Sequence, residues 1–470
     1  MYVDGASNLH GIRPMRANRH KEARQQGQRD QMRLTPKRPS VRPARRYLPS
    51  LGALTNFASL VSIQAFNAFA PLIAYPFVLA VVGQNSFAEI VVAEAITLFL
   101  LSFVLYSFEV DGVAAVVGLK PEKDSEAIAE IFVAIIILRL CFYCSGLLML
   151  QIVLTLLYPD LRLLVLGWSL VSLSYALQPN WLFQGLEHNL PLAVFVTLSR
   201  IAALATVFLF IRSEEHAILL PFILGGWYVA GAIGALSYSI FRFGIQFRPP
   251  PRKQLIAMIW HGKEVFLSGI STGLYRDTNV LILSILGVPA AGIASYSLAE
   301  KLTKALQAAM RPLNQFFFPR ALAVAKDEGR PSFVALKRIA VLTLPQMAFA
   351  GLIIGIGAAG YLLLHPYLPA LQKVHDIDVV FHLTLVMSLS VIPGVGVFML
   401  GIAGLNALGA RTYLLLSLLM TAGASIGLNL ILIPHMGSLA SAVCFVFSES
   451  LLLALIVRRY WSVGNLPTAR

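Results

Sequence analysis

Residues Gly292–Arg320 read GIASYSLAEKLTKALQAAMRPLNQFFFPR. Ala, Leu, Met and Phe dominate the stretch, yet it carries Glu300, Lys301, Lys304 and Arg311. Its polar residues Ser297, Glu300, Lys304, Gln307, Arg311 and Asn314, with Gln315 beside the last, recur in steps of three and four. That spacing puts them on one face of a helix. The reading is a membrane-spanning helix with one wet side. The rest of the chain must then supply the walls of the cavity that this side lines.

The surrounding sequence fits that demand. Its 470 residues are 57% hydrophobic and only 13% charged, with a mean hydropathy of +0.74. Repeated continuous apolar runs of about 20 residues specify an all-α polytopic membrane protein. A β-barrel would need alternating runs instead. Twelve spans are expected, at roughly 57–82, 88–108, 127–157, 163–183, 190–212, 217–242, 262–287, 292–318, 337–364, 378–404, 411–433 and 437–457.

Charge placement orients the map. Residues 1–47 hold twelve Lys/Arg and form an expected disordered basic tail without signal-peptide features. If this tail is cytoplasmic and the spans alternate, cytoplasmic segments hold 28 Lys/Arg. The opposite side holds only Arg162, Arg212 and Lys373. This asymmetry places both termini in the cytoplasm. The net charge of +14 is therefore a matter of topology, and no nucleic-acid partner is implied.

Six cations remain inside spans: Arg139, Arg200, Arg276, Lys301, Lys304 and Arg311. Facing lipid, they would cost about 15–20 kcal/mol together on the insertion scale. Two arrangements avoid that cost. In one, Arg139, Arg200, Arg276 and Arg311, with Lys304, line a hydrated cavity that receives an anion. In the other, they pair internally with Glu94, Glu130, Asp277, Glu300 and Glu449. Glu300 and Lys304 stand at i,i+4 and suit each other. Arg276 and Asp277 are adjacent and point apart, so each needs a partner elsewhere. Lys301 lies off the polar stripe, with an outward snorkel expected. Cys141, Cys144 and Cys444 read as small buried hydrophobes, although the first two have a redox-motif spacing.

The basic loop 242–263 divides the chain. The expected organisation is a tail (1–47), a six-helix lobe (48–242), a cytoplasmic linker (243–261), a second six-helix lobe (262–460) and a short tail (461–470). A faint repeat supports the duplication: Val78–Ala95 with Gly83 matches Ile282–Ala299 with Gly287. Duplicated bundles around a site near the bilayer midplane are a common transporter plan.

Pro179-Asn-Trp-Leu-Phe-Gln-Gly-Leu-Glu187 resembles the P-x-W-x-x-Q-G-x-E segment of bacterial polysaccharide repeat-unit flippases of the Wzx type. These belong to the multidrug/oligosaccharidyl-lipid/polysaccharide exporter superfamily. Tyr296–Leu302 with Arg311–Arg320 is similar to their eighth helix. Asn429-x-x-x-Ile433-Pro434-x-x-Gly437, with Glu449 beyond, is similar to their last hairpin. The resemblance covers about residues 50–460. It implies two six-helix bundles working by alternating access in the bacterial inner membrane. The implied cargo is an undecaprenyl-diphosphate-linked oligosaccharide, carried to the periplasmic leaflet for exopolysaccharide or O-antigen synthesis. Polysaccharide polymerase and chain-length or export proteins are the implied partners, beside membrane lipids.

Arginine forks suit phosphate oxygens, and Trp181 and Tyr296 offer rings for a sugar, with an interfacial role the alternative for Trp181. There is no G-x-x-x-x-G-K-[ST] loop for ATP, no metal-ligand spacing and no catalytic triad. The chain therefore reads as a transporter without a cofactor. Glu94, Asp277, Glu300 and Glu449 are candidate ion-coupling groups, or simply partners of the cations. Two rivals stand beside this reading. One is a cation-coupled drug or metabolite exporter of the same superfamily. The other is a membrane polysaccharide polymerase or glycosyltransferase, which would call for a large outer loop.

Overall fold

The computed structural model describes residues 51–364 and 376–464. The basic tail 1–47, the end of the C-terminal tail, and Lys373 with most of the 365–377 connection lie outside the described residues.

Every long element among them is helical. The first half contains α1 (Leu51–Leu105), α2 (Phe108–Val116), α3 (Ser125–Leu157), α4 (Arg162–Leu177), α5 (Asn180–Gly185), α6 (Asn189–Phe210) and α7 (Leu219–Phe243). The second contains α8 (Arg252–Arg276), α9 (Asn279–Ile285), α10 (Ala290–Glu328), α11 (Phe333–Leu364), α12 (Ile377–Ser388), α13 (Val391–Gly396), a π-helical segment Val397–Leu405, α14 (Arg411–Met436) and α15 (Ser438–Gly464).

All twelve expected spans fall on helices in order. Helix α1 holds two of them, divided at Gly83, whose φ of 79° and ψ of 173° only glycine adopts freely. Its arms fold back on each other, since Tyr75 and Phe87 meet edge to face at 5.8 Å. Among the described residues, nine helices are long and apolar enough to cross a membrane. Helices α8 and α10 fall short of that standard because of their charges, as a water-lined pair of spans would. The protein is an all-α, multi-pass membrane protein.

Apolar burial joins the halves at one end. A single core takes Tyr75, Phe87 and Ile90 from the first half and Leu283, Tyr296, Leu298 and Phe445 from the second. These residues cluster around the turns at Gly83, Gly287 and Gly437. At the opposite end the fully buried cores are separate. One holds Phe108, Phe132, Trp181 and Phe243. The other holds Met310, Ile339, Met399 and Tyr460. Helix α8 bridges them at its start, where Leu255, Met258 and Ile259 pack on the first-half core and Tyr106 donates to the Ile259 carbonyl at 2.7 Å.

Three expectations are corrected. Trp181 is fully buried, with its ring packed over Gly112, so it is neither an interfacial anchor nor free to stack on a sugar. Tyr296 is equally enclosed. Cys141 and Cys144 are exposed on α3, and of the three cysteines only Cys444 is buried.

Candidate functional site

Helix α10 carries the polar stripe, and its neighbours decide what each charge does. Lys304 bridges two carboxylates, at 2.8 Å from Asp277 and 3.0 Å from Glu300. Arg276, the last residue of α8, donates from Nε to Glu449 Oε1 at 2.7 Å. A second bond to the same oxygen comes from its terminal amino group. Glu449 is fully buried in α15, and Tyr275 also donates to it at 3.4 Å. A carboxylate enclosed at that depth is tolerated because three donors converge on it.

Arg311 differs. No carboxylate lies within ion-pair distance of it among the described residues, and its Nη1 donates to the amide oxygen of Gln64 on α1. It is exposed and lines a cavity of about 240 Å³ with Arg276, Gln307, Asn314, Gln315 and Phe398. Within that stripe the buried Gln307 Nε2 and Asn314 Oδ1 have no hydrogen-bond partner. Buried amides of this kind are normally satisfied. The π-helical segment closes the far wall through Val397, Phe398 and Ile402. One guanidinium free of carboxylates, a second one paired, and two unpartnered amides make this a polar cavity suited to an anionic, hydrogen-bonding ligand.

The remaining cations take other positions. Arg200 is 3% exposed. Its Nε donates to Asn67 at 3.1 Å, and its guanidinium lies 3.2 Å from the centre of the Tyr228 ring. It lines a separate first-half cavity of about 130 Å³ with Glu94, Tyr75 and Tyr175. Arg139, expected to line a cavity, has no exposure at all. It pairs with Glu109 at 2.7 Å and donates to the carbonyls of Tyr175 and Gln178, each at 3.2 Å. Its contacts tie the end of α4 to α2 and α3, and it lines neither of these two cavities.

Lys301 is also corrected. It does not snorkel outward but crosses to the first half, reaching Glu94 at 2.5 Å and lying 4.7 Å from the Tyr75 ring centre. Thus Arg276, Arg311 and, two turns before Arg311 on α10, Lys304 share the α8–α10 face, with Asp277, Glu300 and Glu449 around them. Arg200 and Glu94 share another cavity, and Arg139 shares neither.

Sequence reasoning missed Gln64, Gln307 and Asn314 as a set with Arg311, and Glu109 as the partner of Arg139. A signal existed for Gln64: it and Asn67 are amides one helical turn apart in an otherwise apolar run. The P-x-W-x-x-Q-G-x-E segment turns out to be architectural. It forms α5, where Trp181 packs over Gly112 and Gly185 presses on Val116 and Val113.

A family model described as "Polysaccharide biosynthesis protein" matches residues 53–322. The chain belongs to this family. That bears out the resemblance drawn from the motifs. The family member described here is 25% identical over 308 residues to a "Putative O-antigen transporter" of Escherichia coli (strain K12), covering 65% of this chain and 73% of that one. It is 24% identical over 292 residues to a "Putative O-antigen transporter" of Shigella dysenteriae, covering 61% and 71%. In fold it is similar to an inward-facing multidrug resistance MATE family transporter of the MOP superfamily, with a TM-score of 0.65 at 13% identity over 87% of this chain and 100% of that one. It is also similar to the lipid II flippase MurJ in an inward closed conformation, with a TM-score of 0.59 at 13% identity over 89% and 88%.

Proposed function

We propose that this chain is a flippase for lipid-linked oligosaccharides, moving undecaprenyl-diphosphate-linked repeat units from the cytoplasmic to the periplasmic leaflet of the inner membrane. Family membership and the two O-antigen transporter relatives support the class. The observation that carries the reading to this chain's own residues is Arg311. It is a guanidinium within a span, exposed to a polar cavity, with an amide and, among the described residues, no carboxylate as its partner. A charge left in that state within a bilayer is costly unless water or an anionic ligand meets it. A diphosphate supplies such an anion, Arg276 lies beside it, and Gln307 and Asn314 offer hydrogen bonds to phosphate or sugar oxygens. The lipid tail stays in the bilayer while the headgroup uses the cavity.

The arrangement of cores fits alternating access between the halves. They are joined at the Gly83–Gly287 end and carry separate cores at the end where the Lys/Arg-rich connections lie. On the charge asymmetry that end is cytoplasmic, so the present state receives cargo from the cytoplasm. The test is complementation of a flippase-deficient strain. Arg311→Ala should abolish surface-polysaccharide export while membrane insertion and yield stay normal. Normal export by well-inserted Arg311→Ala protein would overturn the reading.

A further inference from the structure

Beside the Arg311–Gln64 hydrogen bond, the Lys301–Glu94 pair is the one ion pair that joins the two halves inside the bilayer among the described residues, and the α10 stripe does not explain it. It lies within the shared core, with Lys301 inserted between Tyr75 and Glu94 of α1. Both side chains are mostly covered, at 13% and 17% exposure. If the halves part at this end, Lys301 leaves with α10, and Glu94 remains as a carboxylate within a membrane-spanning arm of α1. Removing one member of a covered ion pair is strongly unfavourable unless the other finds a new partner.

A partner stands on the same side. Arg200 and Glu94 line one small cavity of about 130 Å³, and both belong to the first half, so parting does not separate them. Arg200 has no carboxylate within ion-pair distance among the described residues. A ring face and the Asn67 amide hold it in place. A cation–π contact offsets only part of the cost of burying a guanidinium.

We propose that Glu94 alternates between two cations, pairing with Lys301 while the halves are joined at the Gly83–Gly287 end and with Arg200 once they separate. Both partners of the second pairing belong to the first half and line one cavity, so the parting of the halves does not separate them. In the parted state Lys301 faces the opened gap and is hydrated. One carboxylate then stabilises both end states, which keeps them close enough in free energy for a transporter to visit each.

The scheme makes opposite demands on the two cations, and that sets the test. Full-length protein with Cys141, Cys144 and Cys444 replaced is spin-labelled at Asn85→Cys and Leu286→Cys. Both positions are exposed, beside the Gly83 and Gly287 turns. Double electron–electron resonance in phosphatidylethanolamine/phosphatidylglycerol nanodiscs then reads the ratio of joined to parted molecules, with no cargo present. Lys301→Met removes the joined partner and should lower that ratio by about fivefold or more; Arg200→Gln removes the parted partner and should raise it by a similar factor. Glu94→Gln loses both and should lie between them.

If Arg200→Gln does not give monodisperse protein, Tyr228→Leu replaces it. This variant frees Arg200 from its ring and should lower the ratio. Shifts of the same sign for Lys301→Met and Arg200→Gln, or no shift in either, would overturn the exchange. So would no shift, or a rise, for Tyr228→Leu where that variant stands in. Because cargo is absent, failure here leaves the flippase reading untouched. Loss of the Arg311 result would likewise leave the exchange standing.

Discussion

Arg276 and Glu449 pair across α8 and α15, with two guanidinium nitrogens on one oxygen of a fully buried carboxylate. Arg311, on the same cavity wall, has no such counterpart among the described residues. Identical side chains in one cavity thus have different surroundings: Arg276 ties α8 to α15 as well as lining the cavity, and Arg311 meets an amide.

The first prediction separates those roles. Arg276→Ala strands Glu449 in a core where only Tyr275 still donates to it. It should destabilise the protein by about 3–5 kcal/mol, read as a lower unfolding temperature and a lower yield in detergent. Arg276→Gln with Glu449→Gln, which removes both charges, should recover most of that loss. Arg311→Ala strands no carboxylate and should leave the unfolding temperature near wild type while export is lost. Equal destabilisation by Arg276→Ala and Arg311→Ala would show that the two arginines have the same structural role.

The second prediction concerns the packing of α2 on α5. A methyl group added at Gly112 would sit 2.8 Å from the Trp181 ring. Trp181 is fully buried and has nowhere to shift. Gly112→Ala should therefore cost about 1–3 kcal/mol through overpacking, and Trp181→Phe in the same chain should relieve part of it. Thermal unfolding followed by tryptophan fluorescence checks the first value, and a double-mutant cycle followed by circular dichroism checks the coupling.

How much of this could be read from residues alone depends on what helical periodicity contains. The twelve apolar runs and the polar stripe of Gly292–Arg320 are local patterns, and the structure keeps them on helices, with Ser297, Glu300 and Asn314 of the stripe buried. The demand that Arg276 and Asp277 find separate partners followed from their adjacency, and Glu449 and Lys304 meet it. Periodicity fixes a side chain's direction only relative to its own helix. How each helix is rotated against its neighbours is set by packing across the whole bundle. Hence Lys301 was expected to face outward and instead reaches the first half, and Arg139 was expected in a cavity and is instead enclosed with Glu109. The short α2 and α5 decide the second case, because they carry Glu109 and Trp181 into the bundle where a continuous span would have carried them past it.

The third prediction uses the cysteines as reporters of environment. Cys141 and Cys144 are exposed on α3, mid-span, and Cys444 is buried. In intact vesicles a membrane-permeant neutral maleimide should label the first two slowly. A charged methanethiosulfonate should label neither, since a charged reagent enters hydrocarbon only at high cost. Cys444 should react only after unfolding. Rapid labelling of Cys141 by the charged reagent would place that face of α3 in water.

The fourth prediction concerns acid. His188 lies in the turn between α5 and α6, outside the spans, with its Nε2 3.4 Å from the Tyr238 hydroxyl. Burial lowers its pKa below the ordinary 6.5, and the positive charge of Arg242 lowers it further. The folded protein therefore holds His188 neutral at a pH where the unfolded chain would already bind a proton. The stabilising contribution is complete above the unfolded value. It declines as pH falls through 6.5, where the unfolded state takes up protons first, and levels off below the folded pKa. Unfolding temperatures recorded from pH 8 down to pH 5 should fall for the wild type over that window. His188→Gln cannot titrate and should show a shallower fall. Arg242→Gln removes one of the two causes, so its fall should lie between the two. Parallel curves for all three proteins would mean that His188 is as easily protonated folded as unfolded, and that the acid sensitivity arises elsewhere.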